Sequence, residues 1–291
     1  MTLTEVAKPT VPPGNLEQVT DAQLSQYAEL IYRRTGIRVP PQKKTLLSNR
    51  LRRRLQATGI RSFGAYYKHL SGLRPGDPEW DAFLQEITTH ETYLFRDEGQ
   101  WRWFREVYLP QCAADARSGK RQRSLRIWSA ACSTGDEVFT AACCIAACLP
   151  SYQQWSIRIL GTDVGIGAVE QARRGVFGER AMRLVPDAYE KRYFVKAKDA
   201  ELWQARSVLT EMVSFRQHNL LDPLRERPFD LVFLKNVLIY FAPASKQQVM
   251  DNVHPAIRPG GLLVAGPAEG IADLVKDYVR WQPWLYQRPQ K

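Results

Sequence analysis

Leu125-Arg126-Ile127-Trp128-Ser129-Ala130-Ala131-Cys132-Ser133-Thr134-Gly135-Asp136-Glu137 is the stretch that decides the fold. Its first half, Leu125 to Ala130, reads as a short apolar strand, and Glu137 to Leu149 reads as an apolar helix, with a small-residue loop between them. Strand, tight loop and helix in succession open a parallel sheet covered by helices. Working outward, further strands are expected at Ile157 to Asp163, Val213 to His218, Asp230 to Leu234 and Gly261 to Ala265. Helices are expected at Gly167 to Arg174 and Ser245 to Ile257. The segment Tyr189 to Arg216 is longer and more polar than a crossover needs and is expected to hold a short hairpin, inserted at about 189–212. There is no internal repeat and no low-complexity tract.

Toward the N-terminus the texture is different. Asp21 to Thr35, Gln42 to Thr58, Ser62 to Ser71 and Pro78 to Thr88 carry helical apolar spacing, for example Leu47, Leu51 and Leu55. Breaks fall at Gly36, Pro40-Pro41, Gly59 and Pro75-Gly76. The expected organisation is a loose tail at 1–18, a small helical domain at 19–90 and an α/β domain at 91–291. A length of 291 residues agrees with two domains at roughly 150 residues each.

A hydrophobic content of 44% and a charged content of 24% exclude a disordered chain. No apolar run approaches the ~20 residues that span a bilayer, and the polar, Pro-containing start has no signal core, so a cytoplasmic protein without membrane insertion is expected. Three of the five cysteines crowd one apolar segment and no Cys-x-x-Cys occurs. Buried thiols are expected there, with neither disulfide nor metal. The net charge of +11 is uneven: Arg33 to Lys68 holds eleven Lys or Arg and no Asp or Glu. That asymmetry predicts an acidic partner, with nucleic acid, an anionic membrane and an acidic protein surface all open.

Open α/β sheets bind ligands at the carboxyl ends of their strands. The loop after the first strand lacks both G-x-G-x-x-G and G-K-[ST], the devices that cradle phosphates. It suits a ligand without phosphates such as S-adenosylmethionine (AdoMet), with Glu137 facing the cationic end; a lone Gly after a strand is equally an ordinary turn. Asp163 closes the second strand, where a carboxylate either accepts both ribose hydroxyls or caps the next helix. The third run ends in Asn219-Leu220-Leu221 and the fourth in Leu234-Lys235-Asn236, so each of four strand ends supplies a polar residue.

With these residues on the page, Ile87-Thr88-Thr89-His90-Glu91-Thr92-Tyr93-Leu94-Phe95-Arg96-Asp97 resembles the T-x-N-x-T-x-F-F-R-[DE] signature of the CheR-type chemoreceptor glutamate methyltransferases. In order, Trp128 to Glu137 resembles that family's W-S-A-A-x-S-T-G-E-E, and Lys235 to Phe241 its R-N-V-x-I-Y-F. Pro259 to Glu269 resembles its closing P-G-G-L-L-x-x-G-H-S-E. The likeness covers about residues 20–285. It implies an N-terminal all-helical domain followed by a Rossmann-like methyltransferase domain with a mostly parallel seven-stranded sheet and a small β-hairpin insertion. It also implies that His90, Thr92, Arg96, Glu137, Asp163, Asn219, Leu220, Leu234, Lys235 and Asn236 hold AdoMet, with S-adenosylhomocysteine (AdoHcy) as product. Arg96 and Tyr240 are implied nearest the transferred methyl; on the plainer reading Arg96 pairs with Asp97 or Glu98 and Tyr240 is core. His90 stands where the family usually has Asn, Leu94 where it has Phe, Val138 Pro, Lys235 Arg, and Pro267-Ala268 His-Ser.

The implied reaction esterifies glutamate side chains of a chemoreceptor. A glutamate of pKa about 4.3 is already the nucleophile at neutral pH, so no general base is needed, and no Ser-His-Asp or Cys-His grouping appears. The basic helix with Lys43, Lys44, Arg50, Arg52, Arg53 and Arg54 is expected to dock on the acidic methylation helices of the receptor, the alternative being a solvated face. Family members that tether to a receptor's C-terminal pentapeptide carry a Gly-rich loop, whereas Tyr193 to Ala205 has no glycine, so no tether is expected. Base-amine methyltransferases show [DN]-P-P-[FY] after the fourth strand, where this chain has Lys235-Asn236-Val237-Leu238, so nucleic acid is not the expected substrate. A methyltransferase of another acceptor and a non-catalytic signalling module are the competing readings.

Overall fold

The computed structural model of the protein describes residues 18–290 apart from 75, 89, 90 and 199. The expected tail thus lies outside the described residues except for its last member. α1 (Asp21–Thr35) starts at a capping box, in which the Thr20 side chain accepts from the Gln23 N–H and the Gln23 side chain answers. It stops at Gly36, whose φ of 74° is left-handed. A side chain there would also collide with Ser245, at 2.9 Å from an added Cβ, so glycine lets the helical half press against the sheet half. α2 (Lys44–Thr58), α3 (Phe63–Gly72) and α4 (Pro78–Ile87) follow. The expected start of α2 at Gln42 winds instead as a single 3₁₀ turn, Pro41–Lys43. Tyr27, Ile31, Leu51, Tyr66, Leu70 and Phe83, fully buried, meet in one core.

A second helical run, for which the sequence carries no clear periodicity, joins the halves: α5 (Glu98–Trp103), a π turn (Phe104–Tyr108) and α6 (Leu109–Arg117). Pro110 reads as a helix breaker but sits in the first turn of α6. Trp101 and Phe104 pack on Phe233 of the sheet, at ring distances of 5.1 and 6.1 Å.

The α/β half runs β1 (Ser124–Ala130), α7 (Asp136–Cys148), β2 (Ser156–Asp163), α8 (Ile166–Arg174), β3 (Val176–Gly178), α9 (Glu179–Met182), α10 (Asp187–Tyr193), β4 (Phe194–Lys196), β5 (Leu202–Ala205), α11 (Ser207–Thr210), β6 (Val213–Gln217), β7 (Phe229–Leu234), α12 (Pro243–Ala256), β8 (Ile257–Ala265), β9 (Val279–Gln282) and β10 (Leu285–Gln287). Seven strands form one sheet in the order β6-β2-β1-β7-β8-β10-β9, with the first five parallel and β10 running antiparallel to both of its neighbours, β8 and β9. The mostly parallel seven-stranded sheet is as expected. The expected hairpin is present as β4–β5, and β3, from outside the expected bounds, joins β5 to make it a three-stranded antiparallel sheet, β3-β5-β4. Cys112, Cys132, Cys143 and Cys144 are buried free thiols and Cys148 is half-buried.

The order reverses at β1, with β2 on one side and β7 on the other, which opens a crevice at their carboxyl ends. The helical half closes over it. The Arg38 N–H donates to the Tyr240 carbonyl at 2.8 Å, the Asn219 amide to the Arg34 carbonyl at 2.7 Å, and Gln217 to Asp81 at 2.7 Å. Gln85 accepts from the Ala168 N–H at 3.1 Å.

Candidate active site

The crevice together with the open space at its mouth amounts to about 1130 Å³. One wall is Ala131, Cys132, Ser133, Glu137 and Asp163 from the β1 and β2 ends; another is His218, Asn219 and Leu220 after β6; a third is Lys235, Asn236, Val237 and Tyr240 after β7. Thr92, Tyr93 and Arg96 come from the segment before α5, and Thr35, Ile37, Ile87 and Thr88 from the helical half. Sequence reasoning missed that last wall, because only the docking of α1 and α4 on the sheet brings it there.

The loop after β1 is tightly wound. Ala131, Ser133 and Gly135 have φ of 65°, 50° and 91°. A Cβ on Gly135 would lie 2.9 Å from Ala172 of α8, so only glycine turns there. The Asp163 carboxylate holds this loop, accepting from the Ser133 N–H and the Gly165 N–H, both at 2.9 Å. It is thus a loop anchor and not the cap of α8, whose N-cap is Gly165, and it lines the crevice as well, since each carboxylate oxygen retains a lone pair after one bond.

Lys235, with 3% of its side chain exposed, is paired with Asp97 at 3.2 Å and with Glu137 at 3.3 Å. Its ammonium also stands 5.3 Å from the Trp101 ring centre. The Ser129 hydroxyl donates to the other Glu137 oxygen at 2.8 Å. One buried cation shared by two carboxylates, with Asp163 nearby, leaves this end of the crevice negative, which favours a cationic ligand.

Arg96 lies between two non-glycine residues in left-handed geometry, Phe95 at φ 60° and Asp97 at φ 66°. The Phe95 N–H is fastened to the Thr140 hydroxyl of α7 at 3.0 Å. Held so, the Arg96 guanidinium donates to the Glu91 carbonyl at 2.8 Å and to the Asn236 side-chain oxygen at 3.0 Å. The plainer surface pairing is not observed: Asp97 pairs with Lys235 and Glu98 with Arg105. Tyr240 is 40% exposed at the cleft, not core.

The β7–α12 loop is fixed by Glu269, 1% exposed, whose carboxylate accepts from the backbone N–H groups of Asn236 and, at 2.7 Å, Leu238. Burial raises its pKa while those amides oppose the rise. The closing motif contains Glu269, but nothing local in the sequence shows its partners lie thirty residues upstream. His218, at the end of β6, has its pKa lowered by burial first and Arg216 second.

Of the other expected residues, Thr92, Asn219, Leu220 and Asn236 line the crevice. Leu234 is fully buried inside the sheet and is not part of the lining, because it points into the core with Trp128 and Val232. His90 lies outside the described residues. The basic helix is also corrected in part. Arg54 forms a fork with Glu79, at 3.0 and 2.6 Å, with side chains only 17% and 14% exposed, so its charge is used inside the helical core. Arg53 pairs with Glu86 at 2.6 Å and Lys44 with Asp21 at 2.7 Å; Arg50 donates to the Ile87 carbonyl and Arg52 to Asn49. Lys43 is exposed.

A seven-stranded sheet with an antiparallel final pair, a loop without phosphate-binding glycines and an acidic crevice at the β1 switch point define an AdoMet-dependent methyltransferase. The family model described as CheR methyltransferase, SAM binding domain, matches residues 90–282, and that described as CheR methyltransferase, all-alpha domain, matches 22–88. The chain belongs to the CheR methyltransferase family. It is 31% identical over 265 residues to the chemotaxis protein methyltransferase of Salmonella typhimurium strain LT2, spanning 89% of this chain and 88% of that one. Chemotaxis protein methyltransferase 2 of Pseudomonas aeruginosa PAO1 is 33% identical over 263 residues, 89% of this chain and 90% of that one. Among solved structures, the glycopeptide N-methyltransferase MtfA complexed with AdoMet aligns over 53% of this chain and 51% of its own at 10% identity and a TM-score of 0.32, too distant to carry an argument.

Proposed function

We propose that this chain esterifies glutamate side chains of a methyl-accepting chemoreceptor, using AdoMet. The observation that carries this reading is Arg96 at the cleft, held by the Glu91 carbonyl and Asn236, with no carboxylate in ion-pair range among the described residues and with an exposed Tyr240 lining the same crevice. Thr92, Glu137, Asp163, Asn219, Leu220, Lys235 and Asn236 are the residues that would hold the cofactor. AdoMet supplies a methyl group made electrophilic by its sulfonium. Asp163 offers free lone pairs to ribose hydroxyls, and the Glu137–Lys235–Asp97 cluster provides the negative surroundings that an α-ammonium and a sulfonium require.

Arg96 orients the acceptor carboxylate with the donors of its fork that Glu91 and Asn236 leave unused. It must not neutralise the acceptor completely, because holding the reactant more strongly than the transition state would raise the barrier. Its two existing bonds moderate that grip. The Tyr240 hydroxyl completes the acceptor site, and alignment supplies the acceleration. The β4–β5 connection, 197–201, contains no glycine, which supports activity without pentapeptide tethering. A receptor's cytoplasmic part as acceptor implies a cytoplasmic enzyme, and no described helix is long and apolar enough to cross a membrane.

The test is intact mass of receptor cytoplasmic fragments after incubation with AdoMet. Each site should add one methyl mass, lost when that glutamate is replaced by glutamine, at equal rates with and without the last five residues of the receptor. Mass added to a fragment whose candidate glutamates are all glutamine would overturn the reading, and a rate that collapses without the terminal five residues would overturn the untethered mode.

A further inference from the structure

α9 is fastened at three points to the segment leading into Arg96. The Arg180 guanidinium pairs with Glu91 at 2.7 Å, the Leu94 N–H donates to the Ala181 carbonyl at 3.1 Å, and the Arg183 guanidinium lies 3.5 Å from the centre of the Tyr93 ring. Tyr93 lines the crevice, and the Arg96 guanidinium stands 5.8 Å from the same ring centre. Their separation is therefore less than the sum of those two distances, which is under two turns of an α-helix at about 5.4 Å per turn.

Two guanidinium groups this close repel, and a carboxylate commonly stands between such groups. Here Arg180, three residues before Arg183, has a carboxylate partner, whereas among the described residues Arg96 and Arg183 have none within ion-pair distance. Arg183 is exposed. Stacking on an aromatic face holds a guanidinium in place while leaving its in-plane N–H donors open to a carboxylate. The fold thus presents a second, pre-positioned cation near the first, just after α9 in the α/β half.

We propose that Arg183, held on Tyr93, is a specificity-determining residue that takes a second acidic side chain of the acceptor helix, one to two turns from the glutamate entering at Arg96. Side chains on one helix face recur at three and four residues, a rise of about 4.5 to 6 Å that lies inside the bound on this pair of cations. The inference rests on the glutamate reading above.

The experiment is steady-state methylation of a receptor cytoplasmic fragment and of variants in which each acidic residue within two turns of a modified glutamate is changed to its amide. Wild type, Arg183→Ala and Arg183→Glu are compared, with AdoHcy affinity measured in parallel. For an exposed charge pair, Arg183→Ala should raise KM for the parent fragment about two- to fivefold, with kcat and AdoHcy affinity unchanged. The penalty should vanish against one particular amide variant, and a lysine at that receptor position should relieve Arg183→Glu. An unchanged KM, or an equal rise against every fragment, would overturn the inference while leaving the glutamate reading standing. A wild-type enzyme that esterifies none of the fragments would overturn both.

Discussion

Asp163 carries two duties that its position in the sequence does not separate. As an anchor it fixes the loops after β1 and β2 through the Ser133 and Gly165 amides, and it also lines the crevice. Asp163→Ala is therefore expected to lose about 2 kcal/mol of stability, since charged acceptors of backbone N–H groups contribute more than neutral ones. It should also weaken AdoHcy binding at least tenfold, about 1.4 kcal/mol. Chemical unfolding and isothermal titration calorimetry separate the two; a destabilised variant with wild-type AdoHcy affinity would leave Asp163 a loop anchor only. The residue scale is also where the sequence is least sufficient. Glu137 and Lys235 are each visible at a strand end, but their mutual pairing, and the sharing of Lys235 with Asp97, depends on segments 40 to 140 residues apart meeting. Nor does any local pattern place Arg96 between two left-handed residues.

At the scale of elements, the five parallel strands were legible because each is a short apolar run bounded by turn residues. β2 and β6 match expectation within one residue at each end. β8 starts four residues earlier than expected, since Arg258-Pro259-Gly260-Gly261 reads as a turn but stays in the strand with a register shift against β7. β9, β10 and the α5–α6 run escaped notice because aromatic clusters with interior prolines obscure both periodicities. α2 and the turn before it show how charge misleads: six cations suggest one docking face, yet they divide between internal and outward duties. Arg54→Ala leaves Glu79 half-enclosed beside the Tyr66 hydroxyl and is expected to lower stability by about 2 kcal/mol without a specific effect on KM. Lys43→Glu should leave stability within about 0.5 kcal/mol and raise KM for receptor fragments, with the difference shrinking as salt rises. Thermal melts and KM at two ionic strengths check both; an Arg54→Ala protein of wild-type stability, or a Lys43→Glu enzyme of unchanged KM, would contradict this division of α2.

At the scale of the molecule, two halves with separate cores close over one crevice, and the helical half contributes lining as well as its basic surface. The family resemblance supplied the seven strands and the cofactor; the helical wall, the Glu269 anchor and the three-stranded insertion emerged only from packing. The central claim is that the methyl group ends on a carboxylate. The measurement that tests it most directly is incubation with methyl-labelled AdoMet and receptor cytoplasmic fragments, followed by alkali and counting of volatile methanol. Carboxyl esters hydrolyse under alkali and N-methyl groups do not, so the account predicts that label in the receptor band is released as methanol. Label that enters the receptor and stays there after alkali would contradict it.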